Sequence, residues 1–198
     1  PVWIILIIAI IAFGVSALTG KFFVPFMKKI SFGQTIRESG PTWHKSKQGT
    51  PIMGGVMFIL GTLVATVIGI IAYSVYMNNI GEGGVINNAF LKLMAGIIAT
   101  FLFCLVGFVD DYIKAIKKRN LGLNSKQKLI FQFLISAGYL AALYFLGDTS
   151  TSINFYFFEL NLGIFYYPVM VLFITFIVNA VNLTDGIDGL CGSVTVVS

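Results

Sequence analysis

At 198 residues, 57% hydrophobic and only 11% charged, the chain carries less than half the charge of a soluble domain, where about 25% of residues are charged. A mean hydropathy of +0.91 makes it an integral membrane protein, and a single histidine excludes a histidine-built metal site within these residues. The two cysteines, Cys104 and Cys191, lie in apolar or membrane-edge surroundings, mark neither a disulfide framework nor a zinc cluster, and leave the redox compartment open.

Taken in order, five apolar runs are long enough to span as helices: about 2–19, continuing toward Phe26, then 52–77, 89–109, 129–146 and 164–181. None shows the polar alternation of a barrel strand, and no internal repeat or low-complexity tract is present. The first run has no basic residue before it, which speaks for a true span against a cleaved signal peptide, although the chain opens on Pro1 and is expected to be trimmed there. The second run carries Gly54, Gly55, Gly61 and Gly69, which let helices approach closely. In the third, Lys92 lies near one end, where its long stem can snorkel to water. Tyr166, Tyr167 and Pro168 mark an interfacial start for the fifth. Before it, residues 152–159 and Asn161-Leu162-Gly163 allow a short external hairpin. After it, residues 190–198 begin another apolar run too short to cross, so the sequence is expected to continue. The expected fold is an all-α, polytopic helical bundle forming a single transmembrane domain over residues 1–198.

Charge placement orients the bundle. Lys21, Lys28, Lys29, Arg37, Lys45 and Lys47 lie between the first two spans; Lys114, Lys117, Lys118, Arg119, Lys126 and Lys128 lie between the third and fourth. Those loops are cytoplasmic by the positive-inside rule, so the N-terminus is outside. The same cytoplasmic face then receives Asp110 and Asp111 from the third span and Asp185 and Asp188 from the fifth, four of the eight acids in the chain.

Three motifs carry candidate chemistry. Residues 176–190 run from apolar helix into Asn182, Asp185, Gly186, Asp188 and Gly189. Asn182, Asp185 and Asp188 are spaced by three and would share a helical face, while the glycines admit close backbone approach. Carboxylates with close backbone at a membrane surface suit a Mg²⁺–phosphate site; the same residues also make a polar helix cap. In Phe108-Val109-Asp110-Asp111-Tyr112, two adjacent acids at an expected helix C-terminus repel each other and oppose the helix dipole. A metal, or Lys114 one turn on, would relieve this; a solvated pair bridged to Lys114 and Lys117 is the plainer alternative. In residues 44–55, Thr50 reads as an N-cap and Pro51 as a first helical residue, giving either an anion site beside Lys47 or a merely capped helix start. The basic residues 114–128 serve orientation and anionic lipid, or a landing surface for a polyanionic substrate.

With these motifs in sequence order, the chain resembles the phospho-N-acetylmuramoyl-pentapeptide transferase (MraY translocase) family, within the polyprenyl-phosphate N-acetylhexosamine-1-phosphate transferase superfamily. The resemblance covers the whole chain and rests on His44-x-x-Lys47-x-Gly49-Thr50-Pro51-x-Met53-Gly54-Gly55, the Asp110-Asp111-Tyr112 pair, Ser125-Lys126-Gln127-Lys128 and Asn182-Leu183-Thr184-Asp185-Gly186-x-Asp188-Gly189-Leu190. It implies a Mg²⁺-dependent enzyme that transfers phospho-MurNAc-pentapeptide from UDP-MurNAc-pentapeptide to undecaprenyl phosphate, giving lipid I and UMP in peptidoglycan synthesis. It further implies a ten-span protein of the bacterial inner membrane, a homodimer with its active site facing the cytoplasm and no nucleic-acid polymer as partner. By motif, Asp110 and Asp111 match the acidic pair, catalytic and metal-binding; Lys47, Asn182, Asp185, Gly186 and Asp188 match the uridine-nucleotide pocket, and the loop lysines Lys114 and Lys126 assist with substrate. Ile52 replaces a threonine common in the family. The family's third aspartate and His-rich loop would lie beyond Ser198, so this stretch alone is expected to be inactive.

On this reading Asp110 deprotonates or orients the lipid phosphate for direct attack, with a covalent aspartyl route as the alternative. A sister enzyme moving GlcNAc-1-phosphate to the same lipid is the nearest rival. An ion-coupled transporter is a more distant one, because it needs carboxylates near the bilayer midplane. A phosphatidyl-alcohol transferase would need a further spaced aspartate that is not seen here.

Overall fold

The structure is a computed structural model that describes residues 2–29, 53–79, 88–117, 121–155 and 157–184, with Cys191 and Val194. The described residues form helices α1 (Val2–Lys29), α2 (Gly55–Asn79), α3 (Asn88–Lys117), α4 (Ser125–Phe145) and α5 (Tyr166–Thr184), all long and apolar enough to cross a membrane. Their outward surfaces carry Ile10, Phe13 and Phe22 on α1, Phe58 on α2, Leu134 on α4 and Phe176 on α5, all exposed. In water such faces would be a liability; in a bilayer the solvent is hydrocarbon, and the helix satisfies its own backbone. The fold is that of a polytopic helical membrane protein.

Helix ends do not coincide with the ends of the apolar runs. α1 continues through Lys21 and Pro25 to Lys29, so Lys21, Lys28 and Lys29 stand on a helix and not in a loop. α3 runs through Asp110 and Asp111 to Lys117, and α4 begins at Ser125, bringing Lys126 and Lys128 onto its first turn. Hydropathy marks where lipid stops, whereas a helix stops where its hydrogen bonds stop. At about 1.5 Å per residue, the 30 residues of α3 reach about 45 Å, well beyond about 30 Å of hydrocarbon. The helix-end penalty expected for Asp110 and Asp111 therefore does not apply. The last turn holds Lys114 and Lys117 instead, the charge sign that a helix C-terminus favours.

The start of α2 also differs from expectation. Met53 is buried with φ 68°, a left-handed conformation that cannot continue a helix, and α2 starts at Gly55. The Val56 N–H donates to Met53 O (3.1 Å) and the Met57 N–H to Gly54 O (3.2 Å), closing the lead-in turn. Thr50 and Pro51, expected as cap and first helical residue, lie outside the described residues, as does His44.

Two compact units are present: Pro1–Ile86 with Cys104–Asn124, and Asn87–Phe103 with Ser125–Ser198. In the first, α1 and α2 are antiparallel, since Gly20 meets Met57, Gly61 meets Ala12 and Ser16, and Gly69 meets Ile8. Gly61 is required by space. A Cβ there would lie 2.8 Å from Ala12 O, so α1 backbone passes directly over it.

In the second unit, α4 and α5 are antiparallel, with Tyr144 edge-on to Tyr167 at one end and Gln132 bonded to Asn179 toward the other. α4 ends at Gly147 (φ 84°) in a Schellman turn, with the Asp148 N–H on Leu143 O and the Gly147 N–H on Tyr144 O, both 3.0 Å. This turn delivers Asp148 to Lys92, 3.3 Å away. Lys92 is therefore ion-paired within the protein and does more than snorkel. The hairpin expected before the fifth span forms from β1 (Ser152–Asn154) and β2 (Glu159–Asn161), paired antiparallel with Ile153 opposite Leu160. Asn161 Oδ1 accepts from Thr151 Oγ1 (3.0 Å) and the Gly163 N–H (2.9 Å), tying the hairpin to the 3₁₀ turn that leads into α5.

Candidate active site

The site is built on the last two turns of α3. Successive residues on a helix point about 100° apart, so Asp110 and Asp111 diverge, and a residue three or four positions on can touch both. Lys114 does so: its Nζ lies 2.6 Å from Asp110 Oδ2 and 3.0 Å from Asp111 Oδ1. The two carboxylates are not equivalent. Asp110 is buried, 4% exposed, whereas the Asp111 side chain is 36% exposed. The plainer alternative of a solvated pair thus fails for Asp110, and the bridging cation is Lys114.

The second oxygen of Asp110 is held from the chain beyond α3. Leu123 N–H donates to Asp110 Oδ1 at 2.8 Å. Gly122 makes this possible, because a Cβ at that position would stand 2.6 Å from Asp110 O and 2.7 Å from its Cγ. Burying a carboxylate is tolerable when charge and hydrogen bonds compensate it. Here an ammonium takes one oxygen and a backbone amide the other.

These residues offer the hard oxygen donors that Mg²⁺ takes, usually as one or two carboxylates completed by water and substrate phosphate. The Lys114 ammonium already sits against both carboxylates, and among the described residues no three His, Cys, Asp or Glu gather into a metal cluster. Of the two carboxylates, Asp111, more than a third exposed, is the one a cation could reach.

Of the other expected site residues, Lys126 is exposed on the first turn of α4 and Asn182 is exposed on the last turn of α5. Lys47, Asp185, Gly186 and Asp188 lie outside the described residues. The structure therefore brings together Asp110, Asp111 and Lys114, and it adds Gly122 and Leu123, which sequence reasoning passed over. It also shows an unanticipated polar cluster between α4 and α5. Gln132 and Thr175 are buried, and Asn179 Nδ2 donates to Gln132 Oε1 (2.6 Å) and Thr175 O (2.9 Å). Ser136, fully buried, donates to Gln132 O at 2.8 Å. The signal was present in the sequence, for Gln132 is the one amide in an otherwise apolar run at 129–146.

The family model for glycosyl transferase family 4 matches residues 93–198, more than half of the chain, including Asp110, Asp111 and the Asn182 stretch. The chain belongs to glycosyl transferase family 4. Three similar relatives share one name. It is 41% identical over 191 residues to a phospho-N-acetylmuramoyl-pentapeptide-transferase of Bacillus licheniformis, covering 94% of this chain and 54% of that protein. It is 39% identical over 189 residues to the protein of that name from Shouchella clausii, covering 95% and 54%. With the one from Clostridioides difficile it shares 39% over 192 residues, covering 96% and 54%. The chain spans about half the length of the curated relatives it matches. For a family 4 member, the acidic pair on α3 is the most completely built chemical feature among the described residues.

Proposed function

We propose that this protein transfers phospho-MurNAc-pentapeptide from UDP-MurNAc-pentapeptide to undecaprenyl phosphate, forming lipid I and UMP at the cytoplasmic face of the bacterial inner membrane. The observation that carries the reading is the Asp110–Lys114–Asp111 cluster at the membrane edge of α3. Asp110 stands 22 residues after the helix start at Asn88, about 33 Å along α3 and farther than about 30 Å of hydrocarbon, which supports a position at the membrane edge rather than at its midplane. That depth suits a lipid headgroup meeting a soluble nucleotide and does not suit an ion-coupled transporter. The names of the relatives supply the substrate class.

In the reaction, an oxygen of the lipid phosphate attacks the sugar-bearing phosphorus of the UDP-sugar. The bond to the other phosphate breaks, and UMP leaves with the electron pair. Asp111 presents an accessible carboxylate to the incoming groups, and Asp110 orients the cluster through Lys114. For Asp110 itself to take a proton, it would first exchange its bond to Lys114 or to Leu123 N–H. Mg²⁺, held by Asp111 together with substrate phosphate, would offset the charge on the diphosphate. Lys114 and Lys126 add positive charge, and Lys47, Asn182, Asp185, Gly186 and Asp188 contribute the nucleotide pocket. The working form is a homodimer.

The test is UMP release by the full-length protein in lipid nanodiscs containing undecaprenyl phosphate. UDP-MurNAc-pentapeptide and UDP-GlcNAc are supplied in parallel, with and without Mg²⁺. Turnover with the muramoyl substrate alone, lost on chelation, is the expected result. Turnover with UDP-GlcNAc alone would assign the sister reaction. No UMP from either, with ion-driven flux in liposomes, would overturn the enzyme reading.

A further inference from the structure

We propose that Gly122 is a positioning residue for the acidic pair: its missing side chain lets residues 121–124 close over Asp110 and hold one carboxylate oxygen through the Leu123 amide. This rests on the proposed function for its consequence, but not for its geometry. Two observations carry it independently. The first is steric: any Cβ at Gly122 would meet the Asp110 backbone oxygen at 2.6 Å and its carboxylate carbon at 2.7 Å. A backbone carbonyl inside α3 cannot swing aside as a side-chain tip could, so the chain itself would have to retreat. The second is polar: the adjacent Leu123 N–H donates to Asp110 Oδ1 at 2.8 Å, on a carboxylate that is only 4% exposed. A retreat of about half an ångström stretches that bond to about 3.3 Å, past the ordinary range of about 2.7–3.2 Å, and weakens it.

The consequence follows from the division of labour on Asp110. Lys114 holds Oδ2 and is shared with Asp111 at 3.0 Å, so its hold on Asp110 is divided between two carboxylates. The Leu123 amide fixes the second oxygen and hence the plane of the group. That plane sets where Lys114 sits, and Lys114 sets how Asp111 meets its substrate. Gly122 touches no reacting atom; it acts through the position of Asp110.

The test uses the full-length protein with two changes that break the same bond differently. Gly122→Ala adds the clashing methyl, and an ester in place of the Leu123 amide, introduced as the α-hydroxy acid, removes the donor while leaving every side chain. Hydrogen exchange at the Leu123 amide is expected to be slow in the parent and about tenfold or more faster in Gly122→Ala. Both changes are expected to lower kcat by roughly tenfold or more, with KM for the UDP-linked substrate within about twofold of the parent, because only the disposition of the reacting cluster is disturbed. The proposal is overturned if the parent amide exchanges as open coil, or if Gly122→Ala leaves exchange unchanged. It is equally overturned if the ester variant keeps full turnover, or if kcat, KM and thermal midpoint all deteriorate together as in general misfolding. Should the parent release UMP from neither UDP-sugar, the functional reading fails, and the exchange measurement alone still decides whether Gly122 holds the anchor.

Discussion

The end of α3 and the contact between α4 and α5 solve the same problem with different chemistry. Each must place polar side chains in a helical membrane protein. At the end of α3 the groups are acids and a base, Asp110 and Asp111 with Lys114, carried on a 30-residue helix about 45 Å long, more than about 30 Å of hydrocarbon requires. Between α4 and α5 the groups are neutral: Gln132, Asn179, Ser136 and Thr175. Asn179 lies one and a half turns inside the end of α5, and Gln132 two turns inside the start of α4. An amide pair gives a moderate bond at little desolvation cost, whereas a carboxylate at that depth would demand a buried partner. The charged cluster thus leaves a carboxylate, Asp111, open to solvent, while the amide cluster joins two helices. Within the latter, Thr175 Oγ1 is buried without a hydrogen-bond partner, a mark of packing that is not fully satisfied.

The sharpest way to break the contrast is to remove charge without volume. Asp110→Asn and Asp111→Asn should each lower turnover by about a hundredfold or more, while membrane insertion persists. Turnover close to the parent in both variants would remove the acidic pair from the reaction. Next in size, Lys114→Met removes the ammonium bonded to buried Asp110, and a loss of about 3–5 kcal/mol of stability is expected in thermal melts in detergent. Adding Asp110→Asn should return much of that loss. If the double variant is as unstable as the sum of its parts, the two groups are not coupled.

A smaller effect is expected from Gln132→Leu. Asn179 keeps its bond to Thr175 O, so the loss is about 0.6–1.7 kcal/mol, with turnover largely retained. A collapse of turnover instead would mean that the amide cluster serves the chemistry directly. Smallest of all, Lys92→Ala removes an ion pair whose side chains are 33% and 44% exposed, worth about 0.2–1 kcal/mol and vanishing in high salt. Salt titration of the melting temperature in parent and variant would show whether the two curves converge.

Much of this was legible before any coordinates. Apolar runs announced the helices because a bilayer accepts little else, and the adjacent acids at residues 110 and 111 marked a candidate site because charge is so rare elsewhere in the chain. Even Lys114 as the bridging cation followed from helical spacing. Other features were not legible, for a common reason. The left-handed turn at Met53, the helical continuation from Val109 to Lys117, and the hold of Gly122 and Leu123 on Asp110 all depend on where backbone hydrogen bonds begin and end. Hydropathy does not report that. The pairs Lys92–Asp148 and Gln132–Asn179 join residues about fifty positions apart. Sequence alone determined which groups the membrane would not tolerate unpaired; only the packing of the helices decided which partner each would find, since partnership is a matter of distance in space and not along the chain.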